Sequence, residues 1–295
     1  MYETFYGLTE KPFSVLPDPY FLYWGRNHSL AYSMLEYGIL NQAGFTVITG
    51  EIGSGKTTLL RQLLHSIDNR ITVGLISNTM MGQGNLLEWI LLSLNQPFEQ
   101  TKYVGLFRQF QEFLISEYGQ GRHTVLMIDE AQNLELSALE ELRMLSNINA
   151  DGYQLLQVIL VGQPQLRAML RRPELVQFAQ RISADFHLSP LPADEVSHYI
   201  HHRVSIAGAK EVLFSRGATQ LIAEASGGVP RVINTLCDAA LVYGFAMKSK
   251  KITTYVVHEV LEDRRKIGLS ALQPFNSPQL IKPQASPFSR DRDRA

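Results

Sequence analysis

A single cysteine, Cys237, stands in 295 residues, so no disulfide can form within the chain. Its apolar helical surroundings mark a small buried residue rather than a reactive thiol, which fits a reducing compartment. An excess of charge is also lacking: 27 Lys and Arg against 28 Asp and Glu give a formal net charge of -1. Composition therefore carries no general attraction for nucleic acid or membranes, and any DNA contact must come from a local basic patch or an assembly. Long hydrophobic runs are missing as well. The stretch Leu86 to Leu94 is interrupted by Glu88 and Ser93 and falls short of the ~20 apolar residues of a membrane span. Met1-Tyr2-Glu3-Thr4-Phe5 lacks the basic start and apolar core of a signal peptide, so a soluble cytoplasmic protein with no membrane span of its own is expected.

What is present begins with Gly50-Glu51-Ile52-Gly53-Ser54-Gly55-Lys56-Thr57-Thr58, the spacing of a phosphate-binding loop. The β-branched run Phe45 to Thr49 before it reads as a strand, and Thr57 to Leu64 after it has the apolar spacing of a helix. Glycines at 50, 53 and 55 let successive backbone N–H groups turn inward around phosphate oxygens, with the positive end of the helix aimed at the same anion. Lys56 would reach the β and γ phosphates, and the Thr57 hydroxyl would join the shell of a Mg²⁺ ion. Thr58 reads as a first-turn residue.

A second signal is Thr124-Val125-Leu126-Met127-Ile128-Asp129-Glu130, an apolar run typical of a strand buried on both faces and ending in two carboxylates. Asp129 would hold Mg²⁺, and Glu130 would act as general base on the attacking water. A metal site without nucleotide would also use two carboxylates, but would leave the glycines and lysine unexplained.

The chain is long enough, and at 45% hydrophobic apolar enough, for one large core and a smaller one. Residues 1 to about 25 are rich in proline and aromatics and read as an extended segment wrapped on the core. A helix over 27–43 with Asn27 as N-cap comes next. Strands at 71–76 and 155–162 alternate with helices near 83–95, 103–118 and 137–147, which predicts an α/β fold with a doubly wound parallel sheet over residues 1–190. From 191 to 267 the pattern is helical only, its first helix opening at Leu191-Pro192-Ala193-Asp194 with an acidic cap. Residues 268–295, rich in Pro, Ser, Gln and Arg, read as a disordered tail.

Together these motifs resemble the AAA+ ATPases. Phe5-Tyr6-Gly7-Leu8, Lys11-Pro12-Phe13 and Pro17-Asp18-Pro19, with Gly44-Phe45 before the loop, narrow the resemblance to the general secretion pathway protein A (ExeA) type, which includes the ATPases of mannose-sensitive pili and exopolysaccharide export. The similarity covers residues 1 to about 265. It implies ATP with Mg²⁺ as cofactors, adenine in preference to guanine, and a helical lid. It implies further roles for single residues: Gln163 of Gly162-Gln163-Pro164 orients water near the γ-phosphate, and Arg231 of Gly227-Gly228-Val229-Pro230-Arg231 contacts nucleotide from the lid. Arg181 of Ala179-Gln180-Arg181-Ile182 reaches into a neighbouring subunit's site, with Arg171 and Arg172 as alternatives. Asn78 would hold Glu130 away from water. His198, His201 and His202 read as a solvated face rather than a zinc site, and Arg264-Arg265-Lys266 as a solvated helix end.

The implied activity is ATP hydrolysis by a homo-oligomer that drives assembly or remodelling of a protein partner in a secretion, pilus or polysaccharide-export machine. Longer members continue into a transmembrane helix and a periplasmic domain where this chain has its polar tail, so recruitment to the inner membrane through a partner is expected here. The alternative is a DNA-associated AAA+ regulator of the transposition type, acting as a nucleotide-gated oligomer.

Overall fold

The computed structural model describes residues 1–77, 85–97, 102–150 and 152–267. Its centre is a five-stranded sheet built from β1 (Phe45–Gly50), β2 (Ile71–Ile76), β3 (His123–Ile128), β6 (Leu156–Gly162) and β7 (Ile182–Leu188), in the spatial order β2-β3-β6-β1-β7 with every pairing parallel. A two-stranded antiparallel ribbon, β4 (Asn149–Ala150) with β5 (Tyr153–Gln154), precedes β6. Helices α1 (Glu3–Tyr6), α2 (Arg26–Leu40), α3 (Lys56–Ser66), α4 (Leu86–Ser93), α5 (Tyr103–Gly119), α6 (Leu136–Leu145), α7 (Pro164–Leu170) and α8 (Val176–Ala179) connect or flank the strands. The last described residues form α9 (Ala193–Ile206), α10 (Arg216–Ser226), α11 (Pro230–Ala246) and α12 (Thr254–Ile267).

The central strands are apolar along their whole length because both faces are covered. β1 and β6 are buried at every position. On one face Phe45, Leu126 and Val158 pack with Leu87, Phe110 and Leu142 from α4, α5 and α6. On the other, Ile48, Met127 and Ile159 pack with Leu35 of α2 and Leu60 and Leu63 of α3. In-register parallel pairing brings the carboxyl ends of β1, β3 and β6 to the same rim of the sheet. Ligands of open α/β sheets bind at that rim.

The aromatic N-terminal segment packs into the helical bundle. Tyr2, Tyr6, Leu8, Phe13 and Phe21 share one core with Val196, Phe214, Ile222 and Leu236. Thr9 N–H donates to Ala207 O (2.8 Å), Arg203 Nε to Pro12 O (2.6 Å) and Asn234 Nδ2 to Ser14 O (3.3 Å). Prolines at 12, 17 and 19 forbid one continuous helix here, leaving only the four-residue α1 and a single 3-10 turn at Pro19–Phe21, and burial of its rings supplies the energy to order the segment.

Two expected caps differ. Helix α2 starts at Arg26 with Gly25 as its N-cap, not at Asn27. The Arg26 N–H is satisfied by Glu195 Oε1 at 3.3 Å, a carboxylate from the first turn of α9. Helix α9 has Pro192 at its N-cap, with no side-chain cap; Asp194 and Glu195 lie in the first turn instead, where the helix dipole favours them. Asn78 and the tail from residue 268 lie outside the described residues. Among the described residues no helix is long and apolar enough to cross a membrane.

Candidate active site

The loop from Glu51 to Gly55 joins β1 to α3 and turns on two glycines with positive φ, Gly53 (+79°) and Gly55 (+100°). At Gly53 a side chain is excluded for a second reason, since a Cβ would lie 2.5 Å from the Cβ of Arg231. Lys56 opens α3, and its Nζ donates to the carbonyls of Gly50 (2.7 Å) and Glu51 (2.9 Å), folding the ammonium back across the loop. Burial pushes the Lys56 pKa down, opposed by the carboxylates of Glu130, Asp129 and Glu51. A buried ammonium held only by carbonyls retains a strong preference for a negatively charged partner.

Thr57 Oγ1 donates to Asp129 Oδ2 at 2.8 Å, so the first turn of α3 and the end of β3 meet through one hydroxyl and one carboxylate. Asp129 is 4% exposed, and burial raises its pKa. Its other oxygen, Oδ1, accepts from the Glu130 N–H at 2.9 Å. That bond goes with a left-handed backbone at Glu130 (φ +54°), an unusual conformation for a residue with a side chain. Glu130 Oε2 then accepts from Gln163 Nε2 at 3.1 Å and Gln132 Nε2 at 2.6 Å.

These groups open into one cleft of about 200 Å³, lined on the phosphate-loop side by Ile52, Gly53, Gly55, Lys56, Thr57 and Thr58 and across from it by Glu130 and Gln163. Gly50, Ser54 and Asp129 are buried behind it, and Glu51 is exposed beside it. Arg231, the second residue of α11, lines the same cleft and donates its backbone N–H to Gly53 O at 3.1 Å. Arg181 is not among the lining residues. It precedes β7, whose Ile182 pairs with Phe45 at the opposite end of β1, a strand length of about 16 Å or more from the loop. There its Nη1 donates to Ser146 Oγ (2.9 Å) and Arg143 O (3.3 Å).

Several cleft residues carry no sequence signal of their own. His28, from the first turn of α2, pairs its Nε2 with Ser54 O at 2.9 Å beneath the loop, and burial lowers its pKa. Its Nδ1 and the Ser54 hydroxyl have no hydrogen-bond partner among the described residues. The N-terminal segment closes one wall through Val15, Leu16, Pro17 and Asp18, with Pro17 O accepting from Arg61 Nη1 at 2.7 Å. Tyr199, Arg203 and Asn234 from the bundle form the inner wall. A local spacing rule finds none of these, because each arrives from an element distant in sequence.

Residues 39–170 match the family described as AAA domain. The chain carries an AAA domain. Its five-stranded parallel sheet and phosphate loop form a P-loop AAA fold. Similarity in structure extends to Cdc6p from Pyrobaculum aerophilum (TM-score 0.64, 18% identity, 86% of this chain and 75% of that one). It extends also to the Aeropyrum pernix ORC2 protein in its ADPNP–ADP complexes (TM-score 0.58, 18% identity, 80% and 66%). At such identities the likeness concerns the fold alone. In sequence the chain is similar to general secretion pathway protein A of Aeromonas hydrophila, 40% identical over 253 residues, in agreement with the resemblance drawn from the N-terminal motifs. The match takes in 85% of this chain and 46% of that protein, so the AAA chain spans less than half the length of this relative.

Proposed function

We propose that this protein is a Mg²⁺-dependent ATPase whose hydrolysis drives assembly or remodelling of a protein partner in a bacterial secretion, pilus or polysaccharide-export machine. The observation that carries the reading is the convergence of Lys56, the Thr57–Asp129 pair and the Glu130–Gln163 pair on one cleft. A general base beside a phosphate loop has a use in hydrolysis that it lacks in nucleotide storage.

Lys56 would exchange its carbonyl partners for the β and γ phosphates, backed by the loop amides from Gly50 to Thr58. The oxygen donors Thr57 and Asp129 fit Mg²⁺, which takes few protein ligands and completes its shell with phosphate and water. When bound there, Mg²⁺ would supply charge neutralisation on the phosphates. Glu130 takes a proton from water as the water oxygen forms its bond to the γ-phosphorus, while the bond to the β–γ bridging oxygen breaks and ADP departs. Gln163 orients that water, and Arg231 senses the nucleotide from the bundle, whose residues 191–267, with the N-terminal segment packed into them, we take as a lid on the sheet domain that makes up the rest of 1–190.

Arg181 serves a neighbouring subunit in a homo-oligomer. Its distance from the phosphate loop of its own chain supports that assignment over a role in cis. The protein acts on the cytoplasmic side and is recruited to the inner membrane by its partner; the secretion-pathway relative supports this setting.

The test is ATP turnover against protein concentration for wild type, Glu130→Gln and Arg181→Ala, with and without duplex DNA. Turnover per subunit that rises with concentration and is lost in both variants supports the proposal. Stimulation by DNA that weakens with salt would instead favour the transposition-type regulator. Equal turnover in Glu130→Gln and wild type would sink the assignment of the base.

A further inference from the structure

We infer that Gln132 is the positioning residue for the Glu130 carboxylate, acting as a bridge that ties the catalytic base to the end of β6. This rests on the hydrolysis reading above. Gln132 lies in the short turn after β3, half-buried, and both ends of its carboxamide are used. Oε1 accepts from the Gln163 backbone N–H at 2.9 Å, and Nε2 donates to Glu130 Oε2 at 2.6 Å. Because a backbone N–H can only donate, the oxygen of the amide must face Gln163 and the nitrogen must face Glu130. The bridge therefore has a defined direction.

The fold makes room for it. Gly162 ends β6, and a Cβ there would stand 2.8 Å from Gln132 Oε1 and 2.9 Å from Leu166 Cδ2, closer than real side chains approach, so the glycine leaves space for both neighbours. A glutamine on an ordinary surface turn would be solvated and would need no such clearance. The Gln163 side chain alone leaves the carboxylate one hinge, its 3.1 Å bond to Oε2. With Gln132 as second donor on the same oxygen, Oε2 is fixed and no other side chain bonds Oε1 among the described residues. Oε1 is the oxygen left to take the proton of the attacking water. The same amide registers the backbone of Gln163, so the base and the water-orienting glutamine move as one unit.

Gln132→Leu keeps volume and removes both hydrogen bonds. A misdirected base loses alignment in the transition state and leaves nucleotide binding untouched, so kcat is expected to fall about ten- to a hundredfold with KM unchanged. Gln132→His presents one acceptor and one donor nitrogen and is expected to recover most of that loss. Gln132→Asn, a methylene too short to span both partners, is expected to behave like Gln132→Leu and serves in its place if that variant does not fold. The inference is overturned if kcat is unchanged or raised in Gln132→Leu, if the loss falls on KM, or if Gln132→His is no better than Gln132→Leu. Absence of turnover in wild type would remove the hydrolysis reading itself, and the inference with it. Wild-type turnover lost in Glu130→Gln but intact in Gln132→Leu would overturn the inference alone.

Discussion

The backbone N–H of Arg231 donates to the carbonyl of Gly53 at 3.1 Å, so helix α11 of the C-terminal bundle begins on the phosphate loop itself. The Arg231 Cβ, Cγ and Cδ cover the face of Gly53 where any other residue would carry its side chain. Loop conformation and bundle position are thereby coupled through two residues far apart in sequence.

Gly53→Ala meets both obstacles at once, a left-handed backbone costing ~1–2 kcal/mol and a Cβ in the space of Arg231. The expected outcome is a lower denaturation midpoint and weaker nucleotide binding. Urea unfolding and titration with a fluorescent ATP analogue check it. Unchanged affinity would mean the loop does not depend on this contact.

Arg181→Ala is expected to leave nucleotide affinity unchanged in dilute protein, since Arg181 sits at the far end of β7 from the loop. An affinity loss in monomeric protein, measured by calorimetry alongside light scattering, would contradict this placement.

Phe13→Ala tests the role of the N-terminal segment. Phe13 is 2% exposed and packs edge-on against Phe214 at 5.8 Å between ring centres. Loss of a fully buried phenylalanine is expected to cost about 3–5 kcal/mol. Guanidinium unfolding followed by far-UV circular dichroism would register it. A cost below about 1 kcal/mol would show that the segment decorates the bundle without holding it.

His28 carries a pH dependence. Burial lowers its pKa below the usual 6.5, so the folded state prefers the neutral ring. Between the folded value and 6.5 the unfolded chain binds more protons, and stability is present above 6.5 and lost as pH falls toward the folded value. One such group contributes at most about 1.4 kcal/mol per pH unit. His28→Gln keeps a donor for Ser54 O without a titrating ring and is expected to flatten the profile. Urea midpoints from neutral to mildly acidic pH, compared between the two proteins, decide it; parallel curves would rule His28 out as the source.

Strands and helices were legible because burial on both faces writes continuous apolar runs such as Val125 to Ile128, and because 3.6-residue periodicity marks helices like α3 and α5. The start of α2 at Arg26 escapes a local rule because Glu195, distant in sequence, satisfies its N–H, and α9 opens after Pro192 with no side-chain cap for such a rule to find. The aromatic segment needs burial by its composition alone, but its partners lie in a bundle that begins more than a hundred residues later.

By itself the sequence determined the phosphate loop, the acidic strand end and the order of strands and helices, since loop chemistry and hydrophobic periodicity act between residues close along the chain. Only the tertiary structure decided that Gln132 links Glu130 to Gln163, that His28 supports Ser54, that Arg231 rests on Gly53 and that Arg181 stands apart from the cleft. Those are contacts between separate elements, fixed by sheet register and by which faces pack together. Parallel pairing sends the ends of strands distant in sequence to one rim, and no short-range pattern encodes which side chains meet there.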